Sequence, residues 1–148
     1  MEQNLSEILL VEDSPGDARL TTFALQNAQV ANPVVHLKDG DEALEYIFAT
    51  GAYTKRNIEN TPLFILLDLK MPKVNGIEVL KKIKSDESTK NIPVIIFTSS
   101  QVDDDAKKCY HLGANSFVVK PLEYNKFEEI IKEISSYWLL VNYFPQKD

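Results

Sequence analysis

One stretch decides the fold of this chain, Leu63-Phe64-Ile65-Leu66-Leu67-Asp68-Leu69-Lys70-Met71-Pro72. Its first five residues are apolar without an alternating polar face, which is typical of a strand buried on both sides in a parallel sheet covered by helices. The apolar run stops at Asp68, and Pro72 excludes a simple continuation of the strand. Asp68 is therefore predicted at the carboxyl end of a buried strand, where α/β proteins bind their ligands.

Four more apolar runs are predicted to be strands of the same sheet, at residues 8–11, 34–37, 93–97 and 116–119. The helical spacing of other apolar residues predicts helices that begin at residue 15, about 41, near 77, at 103 and about 124. Gly113 is the expected stop of the fourth helix, and residues 49–62 are expected to form a long surface connection. Five strands alternating with five helices indicate an α/β fold with a parallel sheet.

The composition indicates one globular domain. Of the 148 residues, 44% are hydrophobic, which allows one substantial core and is too high for a disordered chain. A net charge of −6 argues against nucleic acid as a partner. No run of about 20 apolar residues and no basic or apolar leader is visible, so we expect no membrane span and a cytoplasmic location. The single Cys109 is expected to be buried.

Polar side chains follow four of the five predicted strands: Glu12-Asp13, Asp68, Thr98 and Lys120. Because the carboxyl ends of parallel strands share one edge of the sheet, these residues are expected to converge in space. Any one of them could be a helix cap or a loop residue. Four such coincidences favour a common site.

The chemistry of that site follows from its charges. Carboxylates about 4 Å apart repel each other by about 4 kcal/mol per pair at an effective dielectric constant of about 20. The cluster therefore needs a cation, and Mg²⁺ suits hard oxygen ligands with open positions. The ammonium of Lys120 and the hydroxyl of Thr98 would then stabilise a phosphoryl group attached to Asp68 or leaving it.

The ordered set Glu12-Asp13, Asp68, Thr98 and Lys120-Pro121 closely resembles the receiver domain of two-component response regulators, over essentially residues 8 to 138. The resemblance implies a flavodoxin-like, doubly wound sheet of five parallel strands in the order 2-1-3-4-5, with five flanking helices. It also implies one receiver domain over residues 1–148, with a core at about 6–138 and an apolar extension at 139–148.

The resemblance assigns roles in phosphotransfer by position. It makes Asp68 the phosphoacceptor, Lys120 the contact of the phosphoryl group and Thr98 the switch hydroxyl. Phe117 takes the switch aromatic position, without the hydroxyl of the more frequent tyrosine. The bond between Lys120 and Pro121 is expected to be cis, as is usual in this family.

The resemblance also implies the metal ligands. Asp13, Asp68 and the backbone carbonyl of Lys70 are expected to ligate Mg²⁺, and Glu12 is expected to act through a water molecule. Lys70 is basic where many relatives have apolar or polar residues, and it could change the lifetime of the phosphoryl group.

Finer features at residues 11–19, 39–44 and 137–139, together with the long loop, are similar to small regulators paired with bacterial phytochrome kinases. The expected function is transfer of a phosphoryl group from a sensor histidine kinase, or from a phosphotransfer protein, to Asp68. Such a protein catalyses its own phosphorylation and dephosphorylation and is not otherwise an enzyme. With no second domain visible, the signal is expected to leave by protein contact, by self-association or by onward phosphotransfer.

The tail at residues 137–145 is unusually apolar for a terminus. It either folds back onto the core or forms a homodimer interface. Two other function classes remain as alternatives. A phosphohydrolase of the haloacid-dehalogenase type needs a second acid where this chain has Lys70. A flavin-binding module needs a phosphate-cradling loop, and residues 14–17 are acidic and poor in backbone donors there.

Overall fold

A five-stranded parallel sheet forms the centre of the structure, a computed structural model that describes residues 6–145. The strands are β1 (Ile8–Val11), β2 (Val34–Leu37), β3 (Phe64–Leu67), β4 (Val94–Thr98) and β5 (Ser116–Val119). Their order in the sheet is β2-β1-β3-β4-β5, as predicted. All residues of β1, β3 and β4 are buried, which is the reason for their unbroken apolar runs.

Five helices connect and cover the strands. They are α1 (Pro15–Asn27), α2 (Gly40–Phe48), α3 (Gly76–Ser85), α4 (Asp103–His111) and α5 (Tyr124–Ser136). Three of them begin at the side-chain caps Ser14, Asp39 and Asn75, and each cap accepts a backbone N–H three residues later. None of the helices between residues 6 and 145 is long and apolar enough to cross a membrane.

The sheet separates two hydrophobic cores because alternate residues of each strand point to opposite faces. On one face, Leu9 and Leu67 pack with the buried sides of α2, α3 and α4. On the other face, Ile8 and Leu66 pack with α1 and α5. Cys109 of α4 lies in the first core and is fully buried, as predicted.

The predicted and observed starts of α2 differ by one residue. Helix α2 begins at Gly40 because Asp39 caps it, whereas the sequence indicated about residue 41. Helix α4 ends at His111, and Gly113 follows with a φ of 104°. A positive φ is costly for residues with a side chain, so Gly113 is the stop that the sequence predicted.

The long connection at 49–62 is ordered by local contacts with α2. It begins with a single 3₁₀ turn at Gly51–Tyr53. Arg56 then donates hydrogen bonds to the carbonyl oxygens of Tyr46 (2.7 Å) and Asn60 (2.6 Å), and its guanidinium lies 4.3 Å from the centre of the Tyr46 ring. The connection runs over the surface, as expected, but Arg56 fixes its path.

The chain continues past α5 in a π-helical turn at Tyr137–Val141, which the sequence did not predict. Trp138 is buried against Phe64, and the ring of Phe144 lies beside it with ring centroids 6.5 Å apart. Leu140 and Tyr143 of the same segment are exposed. The tail therefore folds back onto the core with part of its apolar surface and leaves the rest open to solvent.

Candidate functional site

Backbone hydrogen bonds at the strand ends bring the predicted site residues together. Asp68 N donates to Val11 O at 3.0 Å, which places Asp68 beside the residues that follow β1. Lys120 N donates to Thr98 O at 2.7 Å, which places Lys120 beside the end of β4. The expected convergence at one edge of the sheet is thus a direct result of the strand register.

Three carboxylates form the centre of this edge. Glu12, Asp13 and Asp68 each offer an oxygen, and these oxygens all lie within 4.8 Å of one another. Glu12 and Asp68 are buried, and Asp13 is exposed. Asp68 Oδ1 is buried and has no hydrogen-bond partner among residues 6–145. A buried, unpaired carboxylate oxygen is costly, and in a cluster of hard oxygen ligands it fits a divalent cation.

Lys120 is the cation that the chain itself supplies to the cluster. Its side chain is buried, and its Nζ donates to Glu12 Oε1. The same nitrogen lies 2.9 Å from Asp17 Oδ2 and 3.4 Å from Asp68 Oδ2. The ammonium therefore lies between the helix that follows β1 and the predicted phosphoacceptor.

The electrostatics of the buried groups reflect this crowding. Burial raises the pKa of the Glu12 carboxyl to about 7, and the charge of Asp68 acts in the same direction, while Lys120 opposes both. For Lys120, burial favours the neutral amine, but the hydrogen bonds to Glu12 and Asp17 outweigh it, so the pKa is raised. Lys120 is therefore charged at neutral pH.

Thr98, the predicted switch residue, ends β4 and is fully buried. Its Oγ1 accepts the backbone N–H of Ser100 at 3.3 Å. The Ser100 hydroxyl in turn donates to Asp105 of α4 at 2.7 Å. The residue at the end of β4 is thus linked to the first turn of α4 by a short polar chain.

Phe117, the predicted switch aromatic, lies in β5 next to Ile96 of β4. The residue is half-buried, and its backbone N–H donates to the hydroxyl of Tyr110 at 3.2 Å. The Phe117 side chain borders an open cavity of about 620 Å³ between α4 and the start of α5, which Val102 and Lys126 also line.

Lys70 and Pro121 lie in the loops beside the cluster. Lys70 is exposed two residues after Asp68. The expectation of a cis bond before Pro121 is wrong, because no cis peptide bond occurs between residues 6 and 145. The trans form of a bond to proline is favoured by about 0.5–1 kcal/mol, and Lys120 reaches the acidic cluster with it.

Two contacts at this edge were not predicted. Asp17 pairs with Lys120, and Nε2 of His36 lies 2.7 Å from the carbonyl oxygen of Glu12. An acid in the first turn of a helix is common because it complements the helix dipole, so no local pattern indicates that Asp17 also reaches the site. His36 lies on the neighbouring strand β2, and its contact depends on the sheet register.

Comparisons with known proteins agree on one family. The model of the response regulator receiver domain family matches residues 8–132. The probable methanogenesis regulatory protein FilR2 of Methanothrix harundinacea is 37% identical over 138 residues, which cover 93% of this chain and 86% of that protein. The response regulator Rcp1 of Synechocystis is 37% identical over 134 residues, which cover 89% of this chain and 88% of that protein.

Solved structures show the same relationship. The phosphorylated cyanobacterial phytochrome response regulator RcpA aligns with a TM-score of 0.88 and 38% identity, covering 95% of this chain and 99% of that one. The Mn²⁺-bound form of Rcp1 also has a TM-score of 0.88, with 34% identity and the same coverage. The bacteriophytochrome response regulator AtBRR is 45% identical with a TM-score of 0.74, over 95% of this chain and all of that one.

Proposed function

Since the chain belongs to the response regulator receiver domain family, we propose that it accepts a phosphoryl group on Asp68 from a sensor histidine kinase. The observation that carries this proposal is the environment of Asp68, which is buried beside the Lys120 ammonium and has one carboxylate oxygen without a partner in the described part of the chain. A chain of this family is a signalling protein and not a member of a classical enzyme family. Catalysis is limited to its own phosphorylation and dephosphorylation.

The metal of this reaction would be Mg²⁺, held by Asp13, Asp68 and the backbone carbonyl of Lys70, with Glu12 acting through water. The close carboxylates and the unpaired Asp68 oxygen support this assignment. So does the similarity to Rcp1, of which a Mn²⁺-bound form is known. When bound, the ion neutralises charge on the phosphoryl oxygens.

The chain's own residues complete the transfer. An oxygen of Asp68 attacks phosphorus in line with the departing imidazole of the donor, and this step needs positioning and charge neutralisation more than covalent help. The Lys120 ammonium approaches a phosphoryl oxygen from the side of α1, where Asp17 now holds it. The Thr98 hydroxyl donates a hydrogen bond to another phosphoryl oxygen.

The signal would leave through the surface around α4, β5 and α5. When the Thr98 hydroxyl turns toward the phosphoryl group, the space beside it allows Phe117 to turn inward. The half-buried Phe117 ring and the open cavity next to it support this movement. A protein partner that binds this surface would respond to the change.

The kinase partner would be of the phytochrome type, because RcpA and AtBRR are phytochrome response regulators by name. The alternative donor of the phosphoryl group is a separate phosphotransfer protein. The proposal includes a single receiver domain over residues 1–148 and the expected cytoplasmic location.

The test is the intact mass of the protein after incubation with Mg²⁺ and acetyl phosphate. Wild type is expected to gain one phosphoryl group, and Asp68→Asn is expected to gain none. The adduct should disappear when Mg²⁺ is removed by EDTA before the donor is added. An equal adduct on both proteins, or on neither, would refute the proposal.

We also infer that the chain forms a homodimer through its C-terminal segment. Leu140, Val141 and Tyr143 are 83%, 69% and 84% exposed, although each is large and apolar. Leu140 also lines a groove of about 450 Å³ between the end of α1 and the turn at Tyr137–Val141. Burial against a second copy would remove this apolar surface from water.

Sedimentation of wild type and Leu140→Asp measures this association. Leu140→Asp is expected to be a monomer at concentrations where wild type is a dimer. Deletion of Tyr143-Phe144 is a less specific test, because Phe144 packs against Trp138. The matched control is Leu122→Asp, since Leu122 is also fully exposed and lies on another surface. A monomeric wild type, or equal dimers in all variants, would dispose of the inference.

A further inference from the structure

Asp17 contacts the site lysine, although phosphotransfer as proposed above assigns it no role. The residue lies in the first turn of α1, and its side chain is 37% exposed. An acid at this position of a helix often accepts the backbone N–H of the capping residue. Here the N–H of the cap Ser14 donates to Glu12 Oε2 at 3.2 Å instead. The Asp17 carboxylate is directed to Lys120.

The Lys120 ammonium is shared among three carboxylates. Its Nζ lies 2.9 Å from Asp17 and 3.4 Å from Asp68, and it also donates to Glu12. An ammonium has three N–H donors, so a phosphoryl oxygen on Asp68 must displace one of these partners. Asp17 is the partner outside the carboxylate cluster of Glu12, Asp13 and Asp68, and its bond to Lys120 therefore competes with the phosphoryl group.

Asp17 also changes the charge at the mouth of the site. When ionised, the four acids carry four negative charges, against one positive charge on Lys120 and two on a divalent cation. The loaded site therefore keeps one net negative charge with Asp17 present and is neutral without it. Because Asp17 is partly exposed, this charge meets a donor that enters from solvent.

We propose that Asp17 is a specificity-determining residue that slows phosphorylation by small, doubly charged donors, because it competes for Lys120 and repels them. This inference rests on the proposed function of Asp68. With acetyl phosphate, the phosphorus–oxygen bond to acetate breaks, acetate leaves with the bonding electrons, and an Asp68 oxygen bonds to phosphorus. With phosphoramidate, the phosphorus–nitrogen bond breaks and ammonia leaves.

The experiment compares initial phosphorylation rates of wild type and Asp17→Asn, measured by intact mass at Mg²⁺ concentrations high enough that the rate no longer depends on them. Asp17→Asn is expected to react about three to ten times faster with acetyl phosphate. The increase should be smaller with phosphoramidate, which carries one net negative charge less. It should also shrink as ionic strength rises, since salt screens a partly exposed charge.

Three variants serve as controls. Asp17→Glu keeps the charge and should react as slowly as wild type. Asp41→Asn removes an exposed acid from the first turn of α2 and should also keep the wild-type rate. Asp17→Ser should repeat the increase, which guards against a folding defect in Asp17→Asn.

The outcomes separate this inference from the proposed function. A wild type that gains no phosphoryl group refutes the proposed function at Asp68. If wild type is phosphorylated but Asp17→Asn and Asp17→Ser react no faster, the role of Asp17 is refuted and the proposed function of Asp68 stands. The role of Asp17 is also refuted if Asp41→Asn is accelerated equally, or if the increase in rate does not depend on salt or on the charge of the donor.

Discussion

Asp68 combines burial with incomplete pairing. Its side chain is 9% exposed, its Oδ1 has no partner among the described residues, and its Oδ2 is the most distant of the three oxygens around Lys120 Nζ. In the absence of a cation, the Asp68 carboxylate lies close to that of Glu12, and its contact is the longest of the three that Lys120 makes. This arrangement is expected to cost stability, because a buried carboxylate beside a second carboxylate is only partly compensated.

The first prediction concerns this cost. Without a divalent cation, Asp68→Asn should raise the free energy of unfolding by about 1 kcal/mol, because it removes the repulsion from Glu12 and leaves Lys120 two partners. Mg²⁺ should stabilise wild type and not the variant. Thermal unfolding in EDTA and in Mg²⁺ measures both effects. Asp13→Asn is the comparison, with a smaller gain because Asp13 is exposed. A variant less stable than wild type in EDTA would contradict this account.

The second prediction concerns Cys109. Burial, helped by the charge of Asp105, raises the pKa of its thiol to about 11 from 9.0. Between pH 9 and pH 11 the folded protein thus keeps the thiol proton of Cys109, while the unfolded chain loses it. The free energy of unfolding should therefore be highest below pH 9 and should fall as pH rises from 9 to 11. Denaturant unfolding of wild type and Cys109→Ala over this pH range should show a steeper decline for wild type. Equal slopes, or fast labelling of the native thiol at pH 8, would count against it.

At the scale of elements, two glycines allow the helices to lie against the loop that follows Asp68. A Cβ at Gly40 would lie 2.2 Å from Val74 O, and a Cβ at Gly76 would lie 2.2 Å from Asp68 O. Both neighbours are backbone atoms, which cannot move aside as a flexible side chain can. The close approach places α2 and α3 at the edge of the sheet where the site lies.

The third prediction follows from these distances. Gly40→Ala and Gly76→Ala should each lower the free energy of unfolding by about 1–3 kcal/mol, because the loop must shift. Gly16→Ala is the matched control, since its Cβ would meet no atom closer than Ser14 Oγ at 3.9 Å. That variant should be neutral or more stable by about 0.5–1 kcal/mol, as alanine favours helix. Chemical denaturation gives all three values, and similar values for the three variants would exclude a steric role.

The fourth prediction concerns the connection at 49–62. Arg56→Gln should lower the free energy of unfolding by about 1 kcal/mol and speed hydrogen exchange across this connection, because the bonds to Tyr46 and Asn60 are lost. Lys55→Gln removes the same charge from an exposed neighbour and should change neither quantity. Exchange that is unchanged in Arg56→Gln would show that other contacts hold the connection.

At the scale of the whole molecule, the sheet and the centre of its site follow from the sequence because one physical rule connects them. Parallel strands buried on both faces are continuous apolar runs, and their carboxyl ends share an edge. The sequence alone therefore predicts that Glu12, Asp13, Asp68 and Lys120 lie together. In the structure, oxygens of the three acids lie within 4.8 Å of one another, and Lys120 Nζ lies 3.4 Å from Asp68.

The remaining features depend on tertiary geometry that no local pattern encodes. The contact of Asp17 with Lys120 depends on which partner Ser14 N–H takes. The trans bond before Pro121 differs from the family expectation because two forms of similar energy are available to such bonds. The sequence left two alternatives open for the tail, folding back onto the core or forming a homodimer interface. Trp138 is buried in the core, whereas Leu140 is exposed and could contact a second copy.

The central claim is that Asp68, among several carboxylates within reach, receives the phosphoryl group. Borohydride reduction of the phosphorylated protein converts the acyl phosphate to an alcohol, and peptide mass spectrometry locates the modified residue. The account predicts homoserine in place of Asp68 after treatment with Mg²⁺ and acetyl phosphate, with Glu12 and Asp13 unchanged. Reduction at Glu12 or Asp13, or at no carboxylate of a protein that carries the adduct, would contradict it.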